Sequence, residues 1–112
     1  MIHQMGLYGE YFHAIKVGKK VVEVRLNDEK RRKIKVGDSI EFLNVSQKEE
    51  VLKVKVIDIR KYKTFEAMYN DISFKDFDCE EWTMKKMIEG TYEIYSPEQE
   101  KEWGALAITI AY

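Results

Sequence analysis

Four residues at tight spacing carry the strongest chemical signal in the chain. Gly18, Lys20, Glu23 and Arg25 fall within the run Gly-Lys-Lys-Val-Val-Glu-Val-Arg. A strand that only filled a core would alternate apolar residues with bland polar ones. Here the polar positions are cations and a carboxylate. Side chains alternate across a strand, so Val22, Val24 and Leu26 take one face while Val21, Glu23 and Arg25 take the other. Lys20 stands at the start of the strand, just after Gly18, where the backbone can turn it toward either face. A carboxylate flanked by two cations has a depressed pKa and stays ionised at neutral pH. Three roles are open to such a set. It can be an ion pair of small energetic value. It can bind a ligand, the carboxylate accepting from an exocyclic amino group and the cations holding a phosphate or carbonyl. Or Glu23 can act as general base on water, with Lys20 or Arg25 stabilising an oxyanion.

Elements on either side must hold this set in place. Residues 2–8 alternate loosely as a first strand. Residues 9–17 switch to helical spacing, with Tyr11, Phe12 and Ile15 on neighbouring turns and Gly18 as the stop. Residues 20–26 form the charged strand. Residues 27–35 are a charged connection with room for one helical turn begun by Asn27 or Asp28. Val36-Gly37-Asp38 is a turn, Ser39 to Val45 a strand, and Gln47 to Glu50 a hairpin loop. From Val51 to Arg60 the pattern alternates, then slips phase at Val56-Ile57, which predicts a bulge or bend of the kind a barrel corner needs. Thr64 caps a short helix, Ile72 to Asp78 reads as turn, and Glu80 to Tyr92 is the best helical pattern. Pro97 to Trp103 makes a further helical segment, and Ala105 to Tyr112 closes the chain as a strand with Leu106, Ile108 and Ile110 on one face. The expected fold class is α+β: a small, mostly antiparallel β-barrel with peripheral helices, one domain over residues 1–112.

Composition narrows the function classes. With 45% apolar and 35% charged residues, the chain supports a core and a well-solvated surface, which argues against disorder. The one cysteine, Cys79, excludes an intrachain disulfide and fits a reducing cytosol. No apolar run approaches membrane-spanning length, so a cytoplasmic protein without a membrane partner is expected. Net charge is −1 but unevenly spread: residues 16–35 hold nine Lys/Arg against three acids, and residues 64–112 hold four Lys against eleven acids. The basic segment includes Lys30, Arg31, Arg32 and Lys33, a run that can follow a nucleic-acid backbone or be an ordinary solvated loop.

Further candidates are less specific. Tyr8, Tyr11, Phe12, Tyr92, Tyr95 and Trp103 include possible stacking surfaces, although each taken alone fits core packing. His3 and His13 are too few, and too poorly partnered by cysteine, for a zinc site, so no metal and no cofactor is expected. Cys79 lacks a neighbouring base in sequence and reads as a small packed residue.

The spacing Gly-x-Lys-x-x-Glu-x-Arg in Gly18, Lys20, Glu23 and Arg25 resembles the signature of the ASCH domain family, whose fold is a PUA-like β-barrel. The likeness extends to the helix before the glycine (Glu10 to Val17), the Ile34-Lys35-Val36-Gly37-Asp38 turn and the Trp103-Gly104-Ala105-Leu106-Ala107-Ile108 ending. The resemblance implies a small single-domain bacterial or archaeal member. It implies a cleft beside the first helix, lined by Gly18, Lys20, Glu23 and Arg25, with RNA or a modified nucleotide as partner and the 30–33 run as an outer backbone contact. Some small members are amidohydrolases of N4-acetylcytidine that use a lysine, a threonine and a distal glutamate. By that likeness Lys20 takes the lysine position and Glu80 or Glu81 roughly the distal glutamate. Glu23 stands where those enzymes have threonine and offers no hydroxyl to carry an acyl group. The expectation is therefore an RNA- or nucleotide-binding domain. The alternatives are an amidohydrolase using Lys20, Glu23 and Glu80 or Glu81, and a protein-interaction domain in which the charges are architectural.

Overall fold

A computed structural model describes residues 1–47 and 49–112. Five strands and four helices follow in the order β1 (Ile2–Leu7), α1 (Gly9–Lys16), β2 (Val22–Leu26), β3 (Ser39–Asn44), β4 (Val51–Tyr62), α2 (Phe65–Asp71), α3 (Met84–Tyr92), α4 (Pro97–Trp103) and β5 (Ala105–Ala111). Single 3₁₀ turns lie at Arg31–Lys33 and Phe74–Phe77. The hairpin loop expected at 47–50 includes Lys48, which lies outside the described residues.

The strands form one sheet in the order β1-β3-β4-β5-β2. β1 runs parallel to β3, and every other neighbour is antiparallel. The expected small barrel is present as a curled half-barrel, because β1 and β2, the two ends of the order, do not pair. β4 is the shared wall. Its first half pairs with β3 and its second with β5, and the register shifts between Val56 and Asp58. The phase slip at Val56-Ile57 is therefore a bulge, which bends a strand that would otherwise run straight past both partners.

Each sheet face has its own core. Ile40, Phe42, Leu52, Val54, Val56, Leu106, Ile108 and Ile110 pack with Met5 and Leu7 against Phe12 and Ile15 of α1. On the other face Val22, Leu26, Ala105 and Ala107 meet Phe65, Met68, Tyr69, Ile72, Phe77 and Met87 from the α2–α3 region. Small alanines on β5 let those helices approach closely, while its large residues point toward α1. Fully burying an aliphatic or aromatic side chain contributes about 1.5–3 kcal/mol, so β5, buried from Ala105 to Ile108, is a rigid mount for the strand beside it.

Side chains set the helix boundaries. The Thr64 hydroxyl accepts from Ala67 N at 3.0 Å and starts α2. Ser96 and Gln99 form a capping box around Pro97, starting α4. The helix expected from Glu80 begins instead at Met84, because the Thr83 hydroxyl takes the Lys86 N–H at 3.1 Å. Glu80 and Glu81 consequently lie in the turn before it, not on a helix. Gly104 joins α4 to β5 at φ +76°, and a Cβ there would sit 2.7 Å from the Tyr62 carbonyl oxygen. Among the described residues no helix is long and apolar enough to cross a membrane.

Candidate functional site

The charged cluster is assembled by a turn and a strand. α1 stops at Gly18, whose φ of +82° is the left-handed conformation that glycine adopts without steric cost. The chain then folds back, with Lys19 and Lys20 both donating their N–H to the Ala14 carbonyl. That return aims the Lys20 side chain along the start of α1. Its ammonium lies 5.6 Å from the centre of the Tyr11 ring and 6.0 Å from that of Phe77.

β2 then presents Glu23 and Arg25 opposite Ile108 and Leu106 of β5, on the face toward α1. Val22 and Leu26 pack on the other face, with Val24 partly buried against the same cluster. Val21, expected to share the Glu23 face, precedes the strand. Its N–H goes to the Asp76 carbonyl and its side chain packs toward the α2–α3 core.

Glu23 is the hub. Lys20 Nζ is 3.3 Å from its Oε1, while Arg25 Nη2 and Nε reach its Oε2 at 2.7 and 2.8 Å. The side chains of Lys20 and Glu23 are only 7% and 6% exposed, which removes this set from the class of surface ion pairs. Burial alone would push the Glu23 carboxyl up. The charges and hydrogen bonds of Lys20 and Arg25 outweigh it and hold the group below the usual carboxylate range. Burial likewise works against the Arg25 guanidinium, and Glu23 more than offsets it. Two cations around one carboxylate leave a positive charge over. Of the three N–H bonds on Lys20, the contact to Glu23 uses one.

These groups line one wall of a cleft of about 810 Å³ in the gap between β2 and β1. That size is within the range of small-molecule sites. The end of β1 and the start of α1 contribute Gly6, Tyr8, Glu10 and Tyr11; Trp82, the end of α3 and the turn after it supply the opposite wall with Thr91, Glu93 and Tyr95. Tyr11 and Tyr95 are protonated phenols at neutral pH, pushed up first by burial. Tyr69 is raised to about 12, mainly by burial, and its hydroxyl pairs with that of Thr91 at 2.7 Å. Burial also pushes the Cys79 thiol up, against the pull of Lys20.

Other sequence candidates fall elsewhere. Gly18 shapes the turn and is not itself in the cleft lining. Glu80 and Glu81 are exposed and do not line the cleft, although Cys79 and Trp82 on either side of them do. In the basic run, Arg31 pairs with Asp28 at 2.9 Å, and Arg32 donates to the Asn27 carbonyl at 2.8 Å while lying over Trp103. Lys30 and Lys33 are exposed. Tyr8, Tyr11 and Tyr95 are in the cleft, Phe12 is core, Tyr92 donates to Glu100, and His13 is exposed outside it. Sequence reasoning missed Glu10, Glu93 and Trp82. Glu10 beside Tyr11 was legible as part of a polar-aromatic helix start, whereas nothing local marks Glu93 or Trp82. Among the described residues no group of three or more His, Cys, Asp or Glu could hold a metal.

Comparison with known proteins agrees with this architecture. No curated protein matches the chain. The hypothetical protein PH0355, a crystal structure, is 39% identical with a TM-score of 0.87, covering 98% of this chain and 97% of its own. Protein PF0455 from Pyrococcus furiosus, solved by NMR, is 37% identical with a TM-score of 0.77, covering 98% and 96%. The ASCH protein of Zymomonas mobilis shares the fold at 16% identity and a TM-score of 0.58, over 99% of this chain and 67% of that one. The family model for the ASCH domain matches residues 5–112, a span that includes every residue lining the cleft, and the chain belongs to the ASCH domain family.

Proposed function

We infer that the chain, as a single domain over residues 1–112, is an RNA- or modified-nucleotide-binding protein whose ligand enters the cleft lined by Lys20, Glu23 and Arg25. The observation that carries this reading is the Lys20–Glu23–Arg25 set, with two cations on one buried carboxylate, in an aromatic-walled cavity of about 810 Å³ whose lining also holds Glu10 and Glu93. Burying Lys20 and Glu23, with Arg25 half-buried beside them, is costly and is offset only by good geometry and hydrogen bonding. Here Arg25 takes up one carboxylate oxygen and Lys20 retains donor capacity, which suits a ligand phosphate or carbonyl. Tyr8, Tyr11, Trp82 and Tyr95 give surfaces on which a base can stack, worth about 1–3 kcal/mol per base.

Hydrolysis of an acylated nucleoside draws less support from the same residues. Glu23 has both oxygens occupied and a lowered pKa, the opposite of what a general base at neutral pH needs. A purely architectural cluster would have no need of an adjacent cavity. The test is binding of a labelled single-stranded RNA pool across a salt series. Salt-sensitive binding that Lys20→Met abolishes is expected, and wild-type protein with no salt-sensitive binding overturns the reading. Incubation with N4-acetylcytidine is expected to release no cytidine; release that Glu23→Gln abolishes would replace binding by hydrolysis.

A further inference from the structure

A second groove, of about 690 Å³, lies past the end of β2, and none of its lining residues is shared with the cleft. Lys61 at the end of β4, Lys63 just past it and Lys101 on α4 line it, together with Trp103 and Gly104. All three lysines are exposed, and among the described residues none lies within ion-pair distance of a carboxylate. Arg32 of the basic run adds its guanidinium, 5.5 Å from the Trp103 ring. The groove also holds Glu100 and Glu102. Glu100 is buried and turned inward, its oxygens accepting from Phe65 N at 2.7 Å and from the Tyr92 hydroxyl at 2.6 Å. Three exposed lysines therefore line the groove against the single exposed carboxylate of Glu102, with Arg32 beside it over Trp103.

The groove is connected to the cleft by the strand that carries the charged cluster. β2 leaves Glu23 and Arg25 in the cleft, and Asn27, just past its end, donates its N–H to the carbonyl of Gly104 in the groove at 3.0 Å. From Glu23 to Asn27 is four residues, about 13 Å at 3.3 Å per residue. Stacked nucleotides advance about 3.4 Å each, so a few of them span that separation.

We propose that the Lys61–Lys63–Lys101–Trp103 groove holds the phosphate backbone of a single-stranded nucleic acid whose terminal or flipped nucleotide occupies the cleft. This rests on the cleft reading and sharpens it: the partner is a polynucleotide rather than a free nucleotide. The lysines neutralise phosphates, and Arg32, held over the Trp103 ring, adds a cation at the edge of the groove.

Anisotropy of fluorescent oligouridylates, a dinucleotide and an octanucleotide, tests it across a salt series. The octanucleotide binds tighter in wild-type protein, by about tenfold or more. The triple variant Lys61→Gln, Lys63→Gln, Lys101→Gln, whose exposed positions leave folding intact, brings the octanucleotide down to the dinucleotide's affinity. It lowers the salt slope by about 2, at about 0.7 per phosphate for single strands. Dinucleotide binding stays unchanged. Equal affinity for both lengths in the wild type, or a length advantage that survives the triple variant, overturns the proposal. So does an octaglutamate peptide that competes as well as unlabelled octanucleotide, since the groove would then be a surface for acidic peptides. Lys20→Met separates the two readings. If it weakens dinucleotide binding while the length advantage is absent, the groove fails and the cleft stands. If it changes neither ligand while the lysines matter, the cleft reading has failed and the assignment of one continuous path falls with it.

Discussion

Arg25 Nη2 donates to the carbonyl oxygen of Gly6 at 2.9 Å, so one side chain on β2 ties down a strand that β2 never pairs with. The same guanidinium neutralises Glu23. It thereby joins the two open ends of the half-barrel at the mouth of the cleft. A lysine could supply the charge but not the fork that serves both partners.

Removal of that fork should be costly. Arg25→Ala leaves Glu23 buried with only Lys20 at 3.3 Å, and breaking a buried pair from one side costs about 3–5 kcal/mol. Urea denaturation should place Arg25→Ala in that range and Arg25→Lys between it and wild type. The double variant Glu23→Gln, Arg25→Ala should lose less than the sum of the two single losses, because the Arg25–Glu23 pair is then broken only once. Additive losses in the double variant would show that the two residues act independently.

Acid should weaken the fold through Glu23. Its carboxyl titrates lower in the folded protein than the value of about 4.3 it has unfolded. A depressed folded pKa contributes stability that is fully present above the unfolded pKa and is lost as pH falls through the folded one. Asp38, lowered chiefly by its hydrogen bond from His3, adds in the same direction. The Glu23→Gln variant isolates the first group. The stability gap between wild type and this variant, measured by thermal melts, should be constant near neutrality and shift against the wild type below about pH 4.3. A gap independent of pH down to the acid limit would mean that Glu23 is not held as its contacts indicate.

Two glycines should respond differently to alanine. Gly18 is left-handed at φ +82°, and a Cβ there would meet nothing within 4 Å, so Gly18→Ala costs the conformational penalty alone, about 1–2 kcal/mol. Gly104→Ala adds a 2.7 Å contact with the Tyr62 backbone oxygen and should lose more. Because the Gly18 turn aims Lys20, its alanine variant should also weaken ligand binding in the cleft more than its stability loss explains. Equal melting temperatures for the two variants would contradict this ordering.

Much of the frame was legible because its signals are local. The phase slip at Val56-Ile57 is the bulge, Thr64 and Ser96 cap the helices they precede, and Gly18 ends α1. The start of α3 was not, since Trp82 continues the helical spacing backward while Thr83 captures the Lys86 N–H and begins the helix there. Only the charged half of the cleft could be read from one strand. Its other walls come from contacts such as Tyr69 with Thr91, 22 residues apart, and Arg25 with Gly6, 19 apart. The gap between β1 and β2 that makes the cleft is a property of strand order, which no short stretch encodes.

Cys79 offers a direct report on the cleft, being the sole cysteine and part of its lining. Its thiol is pushed up by burial, with Lys20 pulling the other way, and its S–H lies 3.4 Å from the Phe77 carbonyl. Alkylation proceeds through the thiolate, so the rate against pH gives the thiol pKa independently of access. Lys20→Met removes the opposing cation and should move that titration to higher pH, whereas loosened packing alone would lower it by admitting water. A saturating oligouridylate should slow alkylation of the wild type and leave the Lys20→Met rate unchanged. Alkylation unaffected by nucleic acid that demonstrably binds would place the ligand outside the cleft.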